Sequence, residues 1–189
     1  RLRTGSTYTL VLPGREKPYT VDDLLKLAPK AFVRQKDGSY LLSESIVVLP
    51  GADLSLVAPE GAEGLDIRLL SGAESFVSIV ALGGSLTVAG SKAADVSLMS
   101  WNNDGDAADR RTDDGRAYIR LLGGHASLEH AHISNLGFWS GNTGGLSLTG
   151  TSPPVAFTQW THPPTSWDGR PPCSEPSPGT SRPVRRPPG

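Results

Sequence analysis

Apolar residues recur along residues 39–150 in short continuous or alternating runs. Gly, Ser, Asp, Asn or Pro separates most of the runs, and the spaces between them leave no room for crossover helices. This spacing predicts strands joined by turns, and therefore a body that is nearly all β. The ten runs cover residues 40–42, 46–49, 54–57, 65–70, 76–82, 86–88, 96–101, 118–122, 128–133 and 146–148.

The first 37 residues have a different pattern. Residues 6–12 alternate and predict a strand. Thr20 is then followed three residues later by Asp23, which is the spacing of a helix N-terminal capping box. Pro29 ends the apolar stretch. We therefore expect one short helix at residues 21–28 that packs on the strands through Val21, Leu24, Leu25 and Leu27.

A weak repeat indicates how the strands are arranged. Residues 83–89 (GGSLTVA) resemble residues 123–129 (GGHASLE), and aligning Ser85-Leu86 with Ser127-Leu128 gives an offset of 42 residues. Two coils of about twenty residues would fill this offset in a solenoid of β coils. A β-sandwich is the competing interpretation, because Asp-Gly pairs favour hairpin turns. Such pairs occur at residues 37–38, 104–105 and 114–115.

Composition excludes several classes of protein. The 189 residues carry a formal net charge of −1, which argues against a nucleic-acid binder that neutralises phosphates. No apolar run is long enough for a transmembrane helix. The lone cysteine, Cys173, excludes an internal disulfide framework and a cysteine-based zinc site. No signal peptide is visible in the chain, which opens at Arg1.

Proline divides the chain. Eleven of the 16 prolines lie in residues 151–189, where no apolar periodicity remains, so we expect a disordered tail there. A Pro-rich ligand for a partner and an out-of-frame translation product are the alternatives for this segment. The predicted organisation is a strand and capping helix at 1–37, β coils at 38–150 and the tail at 151–189.

Several motifs resemble one family. Residues 39–56 (SYLLSESIVVLPGADLSL) look like the first coil of right-handed parallel β-helix proteins that act on polysaccharides. Residues 76–101 and 114–137 are similar to mannuronan C5-epimerases of alginate biosynthesis. In that family a Ser-Trp closes one coil, Asp-Gly-Arg-Ser/Ala-Tyr-Ile opens the next, and Gly-Gly and Ser-x-Leu-Gly-Tyr/Phe follow. Here these motifs are Ser100-Trp101, DGRAYI at 114–119, Gly123-Gly124 and SNLGF at 134–138.

The resemblance implies a right-handed single-stranded parallel β-helix of the pectate-lyase type, with about five coils and the helix capping its N-terminal end. It also implies an extracellular or periplasmic protein that meets a polyuronate or another acidic polysaccharide, with no nucleic-acid partner and no membrane span. The family's catalytic Asp-Pro-His-Asp motif is absent from this sequence. We therefore expect the N-terminal coils of an epimerase-like protein, inactive as this chain. A non-catalytic carbohydrate-binding or surface-structural β-helix and a polysaccharide lyase fragment are the alternatives.

Epimerisation at C5 of a uronate needs a base, an acid and a cation that neutralises the carboxylate. No residue of this chain is assigned to the first two roles. Alternation places Arg116, Tyr118 and Arg120 on one face of a strand, where guanidinium groups and an aromatic ring suit a uronate. Trp139 is a further residue that could stack on a sugar. The alternative for this set is a solvated outer face with no ligand.

Metal binding has weaker signals. His125, His130 and His132 cluster, and His130 and His132 are expected to share one face of a strand. Outward polar positions or a stacked interior histidine are the alternative. Residues 102–114 hold five Asp, the residue type that binds Ca²⁺, but EF-hand spacing is absent and a solvated loop is favoured. No cofactor is assigned, and Ca²⁺ is the one ion that the sequence leaves open.

Overall fold

The computed structural model describes residues 2–4, 7–73, 75–137 and 144–150. The chain divides into two units, Arg1–Ser152 and Pro153–Gly189, and the tail predicted at 151–189 lies outside the described residues. The described elements are β1 (Leu2–Thr4), β2 (Thr7–Leu12), α1 (Val21–Leu27), β3 (Phe32–Arg34), β4 (Tyr40–Leu42), β5 (Ser45–Val48), β6 (Asp53–Val57), β7 (Leu65–Ser71), β8 (Ser78–Leu82), β9 (Ser85–Ala89), β10 (Val96–Asn102), β11 (Ala107–Ala108), β12 (Tyr118–Leu122), β13 (His125–Glu129), β14 (Ala131–Ser134) and β15 (Leu146–Thr149).

The strands form three sheets. The first contains β1, β2, β5, β8, β12 and β15, the second contains β6, β9 and β13, and the third contains β3, β4, β7, β10, β11 and β14. The chain visits the first, second and third sheets in that order with β5–β6–β7, with β8–β9–β10 and with β12–β13–β14. We call each such passage a coil. Successive coils pair in parallel in all three sheets, so the predicted mostly β, parallel architecture is confirmed and the β-sandwich is wrong.

The register corrects the predicted repeat. Ser85 pairs with His125 and Leu86 with Ala126, so the two Gly-Gly segments are 40 residues apart rather than 42. One coil of three strands fills this offset, not two coils of twenty residues. Five parallel strands lie in the first sheet, four in the third and three in the second, within the residues that the structure describes.

The core lies between the three sheets. Along the first sheet, Leu10, Ile46, Ile79 and Ile119 stand in register on successive strands, and each is at most 6% exposed. Residues with this inward position alternate with outward ones because successive side chains of a strand point to opposite faces. The aliphatic rows therefore bury apolar surface that an isolated coil would leave in water.

The helix was predicted correctly at its start. The Asp23 amide donates to Thr20 Oγ1 over 3.3 Å, and the Thr20 amide donates to Asp23 Oδ2 over 3.2 Å, which completes the capping box. Val21 and Leu24 are buried, and α1 contacts β3 and β6. The expectation for Leu27 was wrong, since its side chain is 51% exposed. In the described part of the chain, no helix has the length and apolar character needed to cross a membrane.

Two of the Asp-Gly pairs do lie in hairpins. The pair at 37–38 joins antiparallel β3 and β4, and Gly38 has the positive φ of 89° that glycine tolerates best. The pair at 104–105 joins antiparallel β10 and β11. Both hairpins add a strand at the margin of the third sheet. The local turn signals were therefore genuine, but they do not define the architecture.

Candidate functional site

Strand β12 presents the predicted site to the outside of the first sheet. Ala117, Ile119 and Leu121 are buried, while Arg116, Tyr118 and Arg120 are half-buried on the opposite face. The alternation predicted for this segment is thus present. Trp139 lies outside the described residues.

Arg116 is anchored within the protein. Its Nε donates to the carbonyl oxygen of Gly137 over 2.6 Å, and the Gly137 amide donates to the Ala117 carbonyl over 2.7 Å. These two bonds fasten the turn after β14 to the segment that leads into β12. Arg116 therefore has a structural partner, in addition to any ligand that it meets.

Tyr118 has an aromatic neighbour from the preceding coil. The ring centroids of Phe76 and Tyr118 are 6.0 Å apart and the rings are inclined by 55°, a geometry typical of favourable aromatic pairs. Phe76 also packs over Gly115, where a Cβ atom would lie 2.2 Å from Phe76 Cδ1. Gly115 is therefore required for this contact, which holds the aromatic pair beside the start of β12.

Arg120 differs from its neighbours in register. The outward positions next to it along the first sheet are Val11, Val47 and Val80 on one side and Ser147 on the other. Arg120 is the only charged residue in this row. Its Nε is buried and has no hydrogen-bond partner among the residues that the structure describes. Burying an unsatisfied donor of a charged group is costly, so this position favours an anionic partner.

A second arginine lies on the outer face of the third sheet. Arg68 Nη2 is 2.7 Å from Asp37 Oδ2, and its guanidinium lies 3.8 Å from the centre of the Trp101 ring. Hydrogen bonds from the hydroxyl and the amide of Ser39, followed by the Arg68 guanidinium, hold the pKa of Asp37 below its usual value. Sequence reasoning did not single out Arg68 or Asp37. The only signal was the outward position of Arg68 in the run at 65–70.

The predicted histidine pair is wrong. His130 is not on a strand: it occupies the corner between β13 and β14 with a φ of 46°, and it divides the run predicted at 128–133. His125, His130 and His132 are all exposed. Across the described ranges, no group of three or more His, Cys, Asp or Glu side chains is placed to hold a metal ion.

The Asp-rich insert is not simply a solvated loop. Asp109 is only 2% exposed and accepts a 2.5 Å hydrogen bond from Ser71 Oγ. The Asp109 amide donates to the carbonyl of Ser100 over 2.9 Å. Arg111 pairs with Asp113 and Asp114, and Asp113 raises the pKa of Arg111 by a side-chain hydrogen bond and by its charge. Most of the other insert residues are exposed, as predicted.

Comparison with known proteins supports the fold. No family model matches the chain, and no curated protein sequence matches it. The crystal structure of the periplasmic alginate epimerase AlgG is similar, with a TM-score of 0.55 and 17% sequence identity. The similarity covers 74% of this chain but 31% of AlgG, so the chain spans about a third of that protein's length. At this identity the match shows a related fold, which in AlgG is a β-helix.

Proposed function

We propose that this chain forms coils of a right-handed parallel β-helix that belongs to a polysaccharide-modifying protein related to uronate C5-epimerases. The cyclic order of the three parallel sheets supports this proposal, as do the fold similarity to AlgG and the motifs at 100–101, 114–119 and 134–138. We further propose that α1 covers the N-terminal end of the stack and that the protein works outside the cytoplasm, where AlgG is found.

The outer face of β12 is the proposed binding site for an acidic glycan. The observation that carries this assignment is the buried, unpaired Nε of Arg120. A uronate carboxylate would accept from this donor in the paired geometry that guanidinium and carboxylate groups share. Tyr118 lies two residues away on the same face and offers its ring to the sugar. Adjacent strands are about 4.8 Å apart, close to the length of one sugar, so a glycan can cross successive coils.

Arg116 and Trp139 have supporting roles in this proposal. Arg116 holds the Gly137 carbonyl and thereby positions the turn after β14 beside the binding face. Its other N–H groups add positive charge near the glycan. Trp139 follows that turn by two residues in sequence, and we keep it as a stacking partner for the sugar.

We expect binding without turnover. Epimerisation needs a base and an acid at C5, and the Asp-Pro-His-Asp motif that supplies this chemistry in the family is absent from the sequence. Oligomannuronate incubated with the chain in deuterated water should therefore gain no deuterium at C5 and no unsaturated ends. Deuterium incorporation would instead support an epimerase, unsaturated ends would support a lyase, and the absence of binding would support a surface-structural β-helix.

The site is tested by calorimetric titration of the full chain with oligomannuronate. Replacing Arg120 with Gln should weaken binding at least about tenfold, because a charge-assisted bond is worth about 1.5–3 kcal/mol. The matched control is Arg110→Gln, which removes the same charge from an exposed position of the insert and should leave the affinity unchanged. Equal weakening by both variants would show non-specific charge attraction and would overturn the assignment, provided that both variants keep the native circular dichroism spectrum.

A further inference from the structure

A groove lies where the chain turns from the second sheet into the third. One part is a cleft of about 650 Å³ between the β3–β4 hairpin and residues 62–66 and 92–97. The neighbouring part is a cleft of about 460 Å³ lined by residues 57–62, 89–91 and 93–94. Ala62 and Ala93 line both clefts, so the two parts are continuous. This groove is on a different face from Tyr118 and Arg120.

The groove is built from equivalent turns of two successive coils. Leu65 pairs with Val96 and Asp66 with Ser97, which places Asp66 and Ser97 side by side at the same level of the third sheet. The two turns pack tightly, because the Leu65 amide donates to the Asp95 carbonyl over 3.0 Å and a Cβ atom on Gly64 would lie 2.9 Å from that oxygen. The floor is therefore preorganised, and it extends for about 10 Å across two strands.

The larger cleft is polar and carries more acids than bases. Its lining includes the carboxylates of Glu63, Asp66 and Asp95, against the cations of Arg34 and Lys92. Asp37 also lines the cleft, but it is paired with Arg68. Carboxylate oxygens accept hydrogen bonds from hydroxyl groups, whereas they repel a ligand that carries carboxylates of its own. This part of the groove therefore suits the hydroxyls of an uncharged sugar better than a polyuronate.

The smaller cleft is lined mainly by short apolar side chains. Ala58, Pro59, Ala89 and Ala94 line it together with Val57, which is 45% exposed. Exposed apolar surface beside a polar recognition site favours a ligand that has a small apolar substituent next to its hydroxyls. An acetyl group has this character and size.

We propose that the groove binds an uncharged oligosaccharide that carries acetyl groups. The sugar hydroxyls donate to Glu63, Asp66 and Asp95, and the acetyl methyl group lies against the apolar cleft beyond Ala62 and Ala93. This inference does not depend on the acidic-glycan site on β12, and the two sites can be tested separately with one protein.

The probes are the tetramer of N-acetylglucosamine, the tetramer of glucose and oligomannuronate, each titrated into the full chain and followed by two-dimensional NMR. The acetylated tetramer should shift amide signals of residues 57–66 and 89–97, bind several-fold more tightly than the glucose tetramer, and be unaffected by oligomannuronate. Ala93→Phe, which fills the junction between the clefts at an exposed position, should weaken its binding at least tenfold. Asp66→Asn should weaken both uncharged tetramers.

Ala107→Phe is the matched control, because it adds the same bulk at an exposed residue of β11 and should leave binding unchanged. Equal affinity for the two uncharged tetramers would overturn the role of the acetyl group. Unchanged binding by Ala93→Phe, or competition by oligomannuronate, would overturn the groove assignment. Arg120→Gln should affect oligomannuronate alone, so failure at one site is distinguishable from failure at the other.

Discussion

Strands β7 and β12 resemble each other in sequence pattern and differ in what their outward arginines contact. Each strand alternates buried aliphatic residues with outward ones, and each has an arginine between two buried positions. Arg68 on β7 is held by Asp37 on one side and by the Trp101 ring on the other. Arg120 on β12 lies next to Val80, and its Nε has no partner among the described residues.

The difference separates an arginine that stabilises the fold from one that is available to a ligand. The guanidinium of Arg68 already has a carboxylate and an aromatic face, which are the two contacts that a uronate and a stacking residue would otherwise supply. Arg120 has a tyrosine nearby but no anion. We therefore assign the acidic-glycan site to β12 although Arg68 has the more complete set of contacts.

The largest expected effects concern what the two strands share. Leu69 of β7 and Ile119 of β12 are fully buried, and truncation of either side chain leaves a cavity between the sheets. Leu69→Ala and Ile119→Ala should each lower the free energy of unfolding by about 2–5 kcal/mol. Urea unfolding measures both. A loss below about 1 kcal/mol for either variant would show that its row does not form the tightly packed core described here.

An intermediate effect should distinguish the two arginines. Arg68→Met removes a cation–π contact and an ion pair, so it should lower the free energy of unfolding by about 1 kcal/mol. Arg120→Met keeps most of the side-chain volume but removes a buried unsatisfied donor, so stability should stay constant or rise by up to about 1 kcal/mol. Urea unfolding of both variants in the absence of ligand measures the difference. A loss at Arg120 as large as that at Arg68 would indicate that Arg120 has a structural partner.

Local patterns predicted the strands well because burial on one face forces alternation in sequence. Every predicted run between residues 40 and 150 contains a strand, and the capping box at Thr20 begins α1 as expected. The orientation of Tyr118 and Arg120 followed from the same rule. The run at 128–133 is instructive: apolar character alone gave one strand, but His130 adopts a positive φ and turns the chain into the next sheet.

Contacts between coils could not be predicted from the same patterns. Asp37 is 31 residues from Arg68, and Ser71 is 38 residues from Asp109, so each pair depends on how the coils are stacked. The offset of 42 residues placed Ser127 opposite Ser85, whereas the true partner is His125. The similar letters of the two Gly-Gly segments favoured the wrong alignment, because register is set by burial across all three sheets rather than by sequence identity.

The smallest effect tests how Asp37 is held on the β7 side. Ser39 Oγ donates to Asp37 Oδ1 over 2.7 Å, the Ser39 amide donates over 3.1 Å, and Arg68 lies on the other carboxylate oxygen. These bonds favour the charged form and lower the pKa of Asp37. Its contribution to stability is therefore fully present above about pH 4, the ordinary aspartate range, and is lost as the pH falls through the lowered value.

The order of these contacts can be measured by NMR titration of the Asp37 carboxyl group. Because the Ser39 bonds have the largest influence, Ser39→Ala should raise the pKa of Asp37 further than Arg68→Met does. Asp37→Asn should abolish the corresponding loss of stability at low pH. A larger rise with Arg68→Met would mean that the ion pair dominates, and Arg68 would then be tied to Asp37 by charge rather than placed by the Trp101 ring. In that case an acidic ligand could compete with Asp37 for Arg68, and the contrast between the two faces would be smaller than the contacts indicate.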